Sequence, residues 1–235
     1  MNKISAVYRK EMSQYFRSPI AYFVVAVFLI GTGYFFTYNI FLTGIATMTE
    51  TFQSMAILLL LVLPAVSMRL FASEYEGGTM ELLQTLPIQP WQLVIGKFLG
   101  ASTILLLMTV GSMVDLIPLY LFGHPETSTI LSGYLGFVLL GMACLGIGQF
   151  FSGLTENQIV AALITVSVLL GFWFVGNLES FQSSYVLRSL FAYLSFSAHF
   201  AQFVLGLVRS EAIMFFAIVI AISLTLNASY LEWRR

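Results

Sequence analysis

Side chains able to do acid–base, nucleophilic or ligand chemistry are few in this sequence, and they are scattered. Of eleven acidic and ten basic residues, only one internal stretch, Arg69 to Lys97, gathers several, among them Glu74, Glu76 and Glu81. Gly96-Lys97 is followed by Phe98 instead of Ser or Thr and lacks a glycine-rich approach, so it is not a phosphate-cradling loop. His124 and His199 are far apart and have no cysteine cluster near them, which makes them surface or interface histidines and not a zinc or copper pair. The single cysteine, Cys144, lies in an apolar run, cannot form an intrachain disulfide, and reads as a packing residue. An intramembrane protease needs paired catalytic groups at membrane depth, yet the acids well inside apolar segments reduce to Asp115. The same shortage argues against an ion-coupled path, which calls for several ionisable residues inside spans. No catalytic, cofactor-binding or metal-ligating residue is expected, and a net charge of -1 gives no reason to expect a nucleic-acid partner.

The elements that carry these residues are membrane helices. The chain is 235 residues long, 59% hydrophobic and 9% charged, against roughly 45–50% and 25% in an ordinary soluble domain. Six spans of about 20 residues each use about half of it and leave no room for an added soluble domain. The expected fold is all-α, a single polytopic domain over residues 1–235. Residues 1–18 form an amphipathic surface helix, with Ile4, Val7, Tyr8, Met12, Tyr15 and Phe16 on one stripe and Lys3, Arg9, Lys10, Ser13 and Arg17 opposite. Glu11 falls within the apolar stripe, either reaching water at the interface edge or pairing with a neighbouring element. Pro19 opens the first span, Ile20 to Leu42. The second covers about Phe52 to Ala72 with Pro64 inside it. The third runs from Trp91 to Phe122 after Pro90, and the fourth from Thr129 to Phe151. The fifth follows a tight link, Ser152 to Gln158, and the sixth is Ala212 to Leu231.

Between the second and third spans, Gly77 and Gly78 permit a reversal, Thr79 suits an N-cap, and Glu81 lies in a first turn. Thr79 to Leu86 therefore reads as a two-turn helix stopped by Pro87. Its apolar residues Met80, Leu82, Leu83 and Leu86 need lipid or a partner to cover them. Gly96 and Gly100 allow close helix approach in the third span. Asp115 lies near enough to the end of that span to reach interfacial water; its other reading is a pathway residue.

Charge placement sets the orientation. With six spans, Lys3, Arg9, Lys10, Arg17, Arg69, Lys97, Arg234 and Arg235 collect on the inner side and only Arg188 and Arg209 on the outer side, as the positive-inside rule requires. Both termini are then cytoplasmic. A seventh span over Tyr185 to Val208 would reverse this, so residues 177–211 read as an outer amphipathic segment lying on or dipping into the leaflet.

The run from Glu74 through Gly77, Gly78, Thr79 and Met80 to Pro87, continuing to Gly96-Lys97, resembles the cytoplasmic loop of ABC-2 type transporter permeases. Arg9-Lys10-Glu11 through Ser18-Pro19 is similar to that family's elbow helix, including Arg17. Leu154 to Gln158 is similar to its link before the fifth span, and Ser195 to Gly206 to its outer segment. The likeness is greatest to the gliding-motility-associated permease subunit, with permeases serving copper-enzyme maturation only slightly behind. The resemblance implies a half-transporter in a bacterial inner membrane: two permease chains, identical or not, with two separate ATPase subunits that bind the ATP. It makes residues 73–90 the coupling loop, with Glu74, Glu76, Gly77, Thr79, Met80, Glu81, Leu83, Leu86 and Pro87 meeting the ATPase, and implies export or flipping of a hydrophobic or amphipathic substrate. The other reading is a membrane scaffold that passes ATPase motion to an outer-side accessory protein through residues 177–209 without translocation.

Overall fold

A computed structural model of the chain describes residues 3–43, 48–80, 88–122, 125–176 and 185–234. Among them there is helix and no strand. Helix α1 (Lys3–Arg17) ends at Ser18, and Pro19 starts α2 (Pro19–Thr43), the position where a missing N–H does no harm. Helix α3 (Thr49–Ser67) passes through Pro64 and ends three residues later, and a turn leads to α4 (Ala72–Glu76). The backbone groups freed at this break are taken up by Ser152. Its hydroxyl accepts from the Phe71 and Ala72 amides at 3.0 Å each and donates to the Met68 carbonyl at 2.7 Å. Gly78, at φ 65°, then reverses the chain.

Helix α5 (Pro90–Ser112) begins with Pro90 and a reciprocal cap in which Gln92 accepts from the Gln89 amide at 3.2 Å. Its course beyond Ser112 changes to a 3-10 turn, Met113–Asp115, before α6 (Leu116–Phe122). The Tyr134 hydroxyl donates to the Ser112 carbonyl at 3.2 Å at that change. Helix α7 (Thr127–Leu154) is the centre of the bundle, packed against α3 and α5 and against the later helices α8 (Gln158–Phe174), α10 (Phe196–Val204) and α11 (Ser210–Trp233). Asn157 caps α8, its side chain accepting from the Ile159 and Val160 amides at 2.9 and 3.3 Å.

Among the described residues, five stretches are long and apolar enough to cross a bilayer: Pro19–Phe41, Thr49–Glu76, Pro90–Leu121, Thr127–Leu154 and Ser210–Trp233. The expected fifth span, Gln158–Phe174, is a shorter apolar helix of 17 residues, at the lower limit of about 17–25 for a span. The N-terminal helix, residues 68–80, the link at 155–157 and the C-terminus meet at one end of the bundle. Lys10 reaches Glu74 there, Gln158 reaches Glu76, and Arg234 reaches Glu156.

The opposite end holds α9 (Tyr185–Leu194) and α10, of 10 and 9 residues, separated at Ser195. Neither could cross a bilayer. Helix α10 dips into the bundle: Phe196, Phe200 and Phe203 are wholly buried, and the Ser132 hydroxyl donates to the Phe203 carbonyl at 2.7 Å. His199, expected at the surface or an interface, is not at the surface. It is buried, stacked on Phe215 at 4.1 Å between ring centroids, with Nε2 3.0 Å from the Tyr193 carbonyl. The reason is register: His199 shares a face with Phe196 and Phe203, and burying that face carries the imidazole inward. Residues 177–184 and His124 lie outside the described residues, as do the side chains of Leu187 and Leu190.

Asp115 is half-buried, and its Oδ2 has no hydrogen-bond partner among the described residues. With no ion pair to break, Asp115→Asn is expected to change thermal stability by less than about 1 kcal/mol, measured as the unfolding midpoint of the purified chain.

Candidate functional site: a buried ion-pair node

The face of α1 that turns inward carries Val7, Glu11 and Tyr15, one turn apart in succession. It lies against α5 where α5 has no side chains. A Cβ on Gly96 would stand 2.7 Å from Val7 Cβ, and one on Gly100 2.7 Å from Glu11 Cβ. The close approach that these two glycines permit is therefore made with the N-terminal helix.

Lys97, next to Gly96, is 1% exposed and carries the centre of the site. Its Nζ donates to Glu11 Oε1 at 2.7 Å and stands 2.9 Å from Glu74 Oε2, while Lys10 Nζ reaches Glu74 Oε1 at 2.6 Å. The Glu74 Oε2 contact is a close charge pair without hydrogen-bond alignment. Phe71 closes the node from another side, its ring centroid 5.1 Å from Lys97 Nζ. Two ammonium groups and two carboxylates make the node electrically neutral, and only Lys10 opens to solvent, its side chain 40% exposed. Burying four charges is tolerable because each has an opposite neighbour; removing one leaves another stranded. Of the two expectations for Glu11, the salt bridge is the one the structure realises.

Around this node the same end of the bundle is cross-tied. The Tyr15 hydroxyl donates to the Val66 carbonyl at 3.1 Å, and burial first, then the nearby Glu11 carboxylate, raise its pKa so that it stays protonated. Arg69 donates to the Ser18 hydroxyl. Gln158 donates to Glu76 at 2.6 Å. Arg234 donates to Glu156 at 3.2 Å and lies 4.8 Å from the centre of the Tyr75 ring. The segment that follows the second span is thus fastened to the N-terminal helix, the third span, the link before α8 and the C-terminus.

The sequence-derived coupling residues divide among different roles. Glu74 is in the node, and Glu76 is tied to Gln158. Gly77 lies in the exposed reversal, and Thr79 donates its hydroxyl to the Glu74 carbonyl at 3.3 Å. Met80 is 4% exposed within the chain's own core, so its apolar surface is covered without a partner, contrary to expectation. Glu81, Leu83, Leu86 and Pro87 lie outside the described residues. In the N-terminal helix Lys10 and Glu11 enter the node, whereas Arg9 and Arg17 remain exposed. Asp115 belongs to the far end and is not brought to this site. Lys97 and Ser152 were not singled out from sequence for these roles. A lysine flanked by Gly96 and Gly100 in an apolar run was the available signal for the first; a serine in a link carries none.

An apolar helical bundle with a polar, cross-tied end defines an integral membrane protein. The model of the family described as "ABC-2 family transporter protein" matches residues 5–231, and the chain belongs to this family. Two relatives carry the name "Probable ABC transporter permease protein NosY". The one from Pseudomonas aeruginosa is 32% identical over 142 residues, 56% of this chain and 50% of that protein. The one from Stutzerimonas stutzeri is 28% identical over 196 residues, 74% of this chain and 67% of that protein. The match therefore spans half of the first relative's length and about two thirds of the second's. Family membership and the apolar helices of membrane length make the chain an integral membrane protein.

Proposed function

We propose that the chain is the membrane half of a bacterial inner-membrane exporter or flippase for a hydrophobic or amphipathic substrate, driven through residues 79–86 by a separate ATPase. In this reading Gln158–Phe174 is a sixth crossing and both termini are cytoplasmic. Two permease chains, alike or different, stand over two ATPase subunits. The observation that carries it is the position of Glu74. Five residues before Thr79, it is held by Lys10 of α1 and Lys97 of α5, so a push on the following segment is passed to the N-terminal helix and the third span together. Such a load can bias the bundle between two packings provided the ATPase contacts differ between them. Asp115, at the far end, is assigned to the mouth of the route.

Replacing Leu83 and Leu86 together by Asp is expected to release the ATPase, since burying a carboxylate in an apolar groove costs about 2 kcal/mol or more per site. Membrane insertion should be unchanged. Co-purification and substrate-stimulated ATP turnover are the measurements, and retention of both at wild-type level would refute the assignment. If Asp115 lines the route, Asp115→Asn lowers that turnover while the complex stays assembled.

The narrower likeness to the gliding-motility permease rests on the motifs at residues 74–97, 9–19, 154–158 and 195–206. The NosY relatives stand for another branch, and identifying the ATPase that co-purifies from the native host separates the two. The scaffold reading, with an accessory protein docked outside, gains little from α10. Its aromatic face is spent inside the bundle, leaving Tyr193, Leu205, Leu207 and Val208 exposed.

A further inference from the structure

We propose that the junction of α1 and α2 is a binding site for the phosphate of a resident anionic phospholipid. A cavity of about 420 Å³ opens there, lined by Arg17, Arg69, Ser18, Ser73, Tyr15 and Glu11, among others, within the size range of small-molecule sites. Its charge is not balanced. Glu11 is the one acid among its lining residues, and that carboxylate is already held by Lys97 at 2.7 Å. Among the described residues, neither Arg17 nor Arg69 makes an ion pair, and Arg69 spends one N–H on the Ser18 hydroxyl. Arg17 and Arg69, both with unspent guanidinium donors, line one pocket together with Ser18, whose hydroxyl accepts from Arg69, and Ser73, whose hydroxyl donates to the Arg69 carbonyl. Planar donor forks of this type match phosphate oxygens in paired hydrogen bonds.

The surroundings indicate which carrier bears the phosphate. Pro19, which lines the cavity, opens α2, and the first turn of that helix exposes Ile20 and Phe23, 43% and 69% exposed and three residues apart on one face, while Phe16, 50% exposed, precedes Arg17 in α1. The apolar track of the first span therefore begins beside the cavity. A headgroup phosphate on the arginines would place its acyl chains on this apolar track, whereas a soluble phosphate would leave it bare. A zwitterionic headgroup would bring its own cation against two arginines, so an anionic lipid is preferred. This lipid is a fixed component of the junction and not cargo, and it does not depend on how the ATPase is coupled.

The test uses the purified full-length chain in nanodiscs of phosphatidylcholine with a minor fraction of phosphatidylglycerol. Phosphatidylglycerol kept after detergent exchange is counted by native mass spectrometry. Wild type is expected to retain it in preference to phosphatidylcholine, and R17Q/R69Q to retain at least tenfold less. R9Q removes the same charge from α1 away from the cavity and is expected to behave as wild type. Should the double variant not fold, R17Q alone replaces an exposed side chain and is expected to lose at least threefold at an unchanged unfolding temperature. Equal retention of the two lipids by wild type, undiminished retention by the arginine variants, or an equal loss in R9Q overturns the proposal. Displacement of the lipid by inorganic phosphate at equal concentration overturns the lipid assignment in favour of a soluble phosphate.

Discussion

Lys97→Met is expected to destabilise the chain by about 3–5 kcal/mol, the usual result of stranding one side of a buried ion pair. The methionine fills most of the lysine's volume, so the loss is electrostatic. Glu11, whose hydrogen bond to Lys97 spans 2.7 Å, would be left buried without its hydrogen-bonded cation, while Lys10 stays with Glu74. Charge bookkeeping then supplies an internal control. Adding Glu11→Gln to Lys97→Met leaves the Lys10–Glu74 pair, which is again neutral, and the double variant is expected to recover more than half of the lost stability. Glu74→Gln in place of Glu11→Gln should rescue less, because it frees Lys10 and leaves Glu11 charged and unpaired. Unfolding midpoints of the purified variants decide this, and equal midpoints for the single and double variants would show that the node's electrostatics do not hold α1 in place. Under the proposed coupling, co-purification of an ATPase subunit, followed alongside, is expected to fall with the node and return with it.

Gly136→Leu is expected to dislodge α10 and destabilise the chain by about 3 kcal/mol, the upper end for overpacking a core. Even a bare Cβ at Gly136 would lie 2.5 Å from Phe203 Cβ and 2.6 Å from its Cγ, closer than atoms can stand. Phe203 cannot yield by a rotamer change because its own Cβ is the obstacle. The relief left is outward movement of α10, which breaks the bond from Ser132 to the Phe203 carbonyl and uncovers Phe196 and Phe200. Gly171→Ala is the matched comparison: nothing stands within 4 Å of a Cβ there, so its midpoint should shift by less than about 1 kcal/mol. A cysteine placed at Leu205, labelled by an impermeant reagent, would report α10's position directly. Faster labelling in Gly136→Leu than in Gly171→Ala is the expected result.

Much of the architecture could be read before any coordinates, and the reasons are local. Runs of about 20 apolar residues specify spans through the thickness of the hydrocarbon layer alone. Pro19 and Pro90 mark helix starts because proline lacks an N–H. Gly78 marks a reversal because it adopts φ 65°. Partner choice was not legible in the same way. Nothing in the sequence near Lys97 names Glu11 or Glu74, which approach it only when three helices pack. The same holds for Ser152 beneath the break at Phe71 and for Arg234 over Tyr75. A span that is apolar all round does not announce which of its faces is buried, so its neighbours are decided by shape.

By itself, then, the sequence determined that this protein lives in a bilayer as a bundle of helices, because hydrophobic length is a property of composition and order. Tertiary structure alone decided that Gly96 and Gly100 receive the N-terminal helix, that four charges close into one neutral node, and that His199 faces inward among phenylalanines. Those outcomes depend on contacts between residues far apart in the chain, and such contacts are set by packing complementarity, which no single segment encodes.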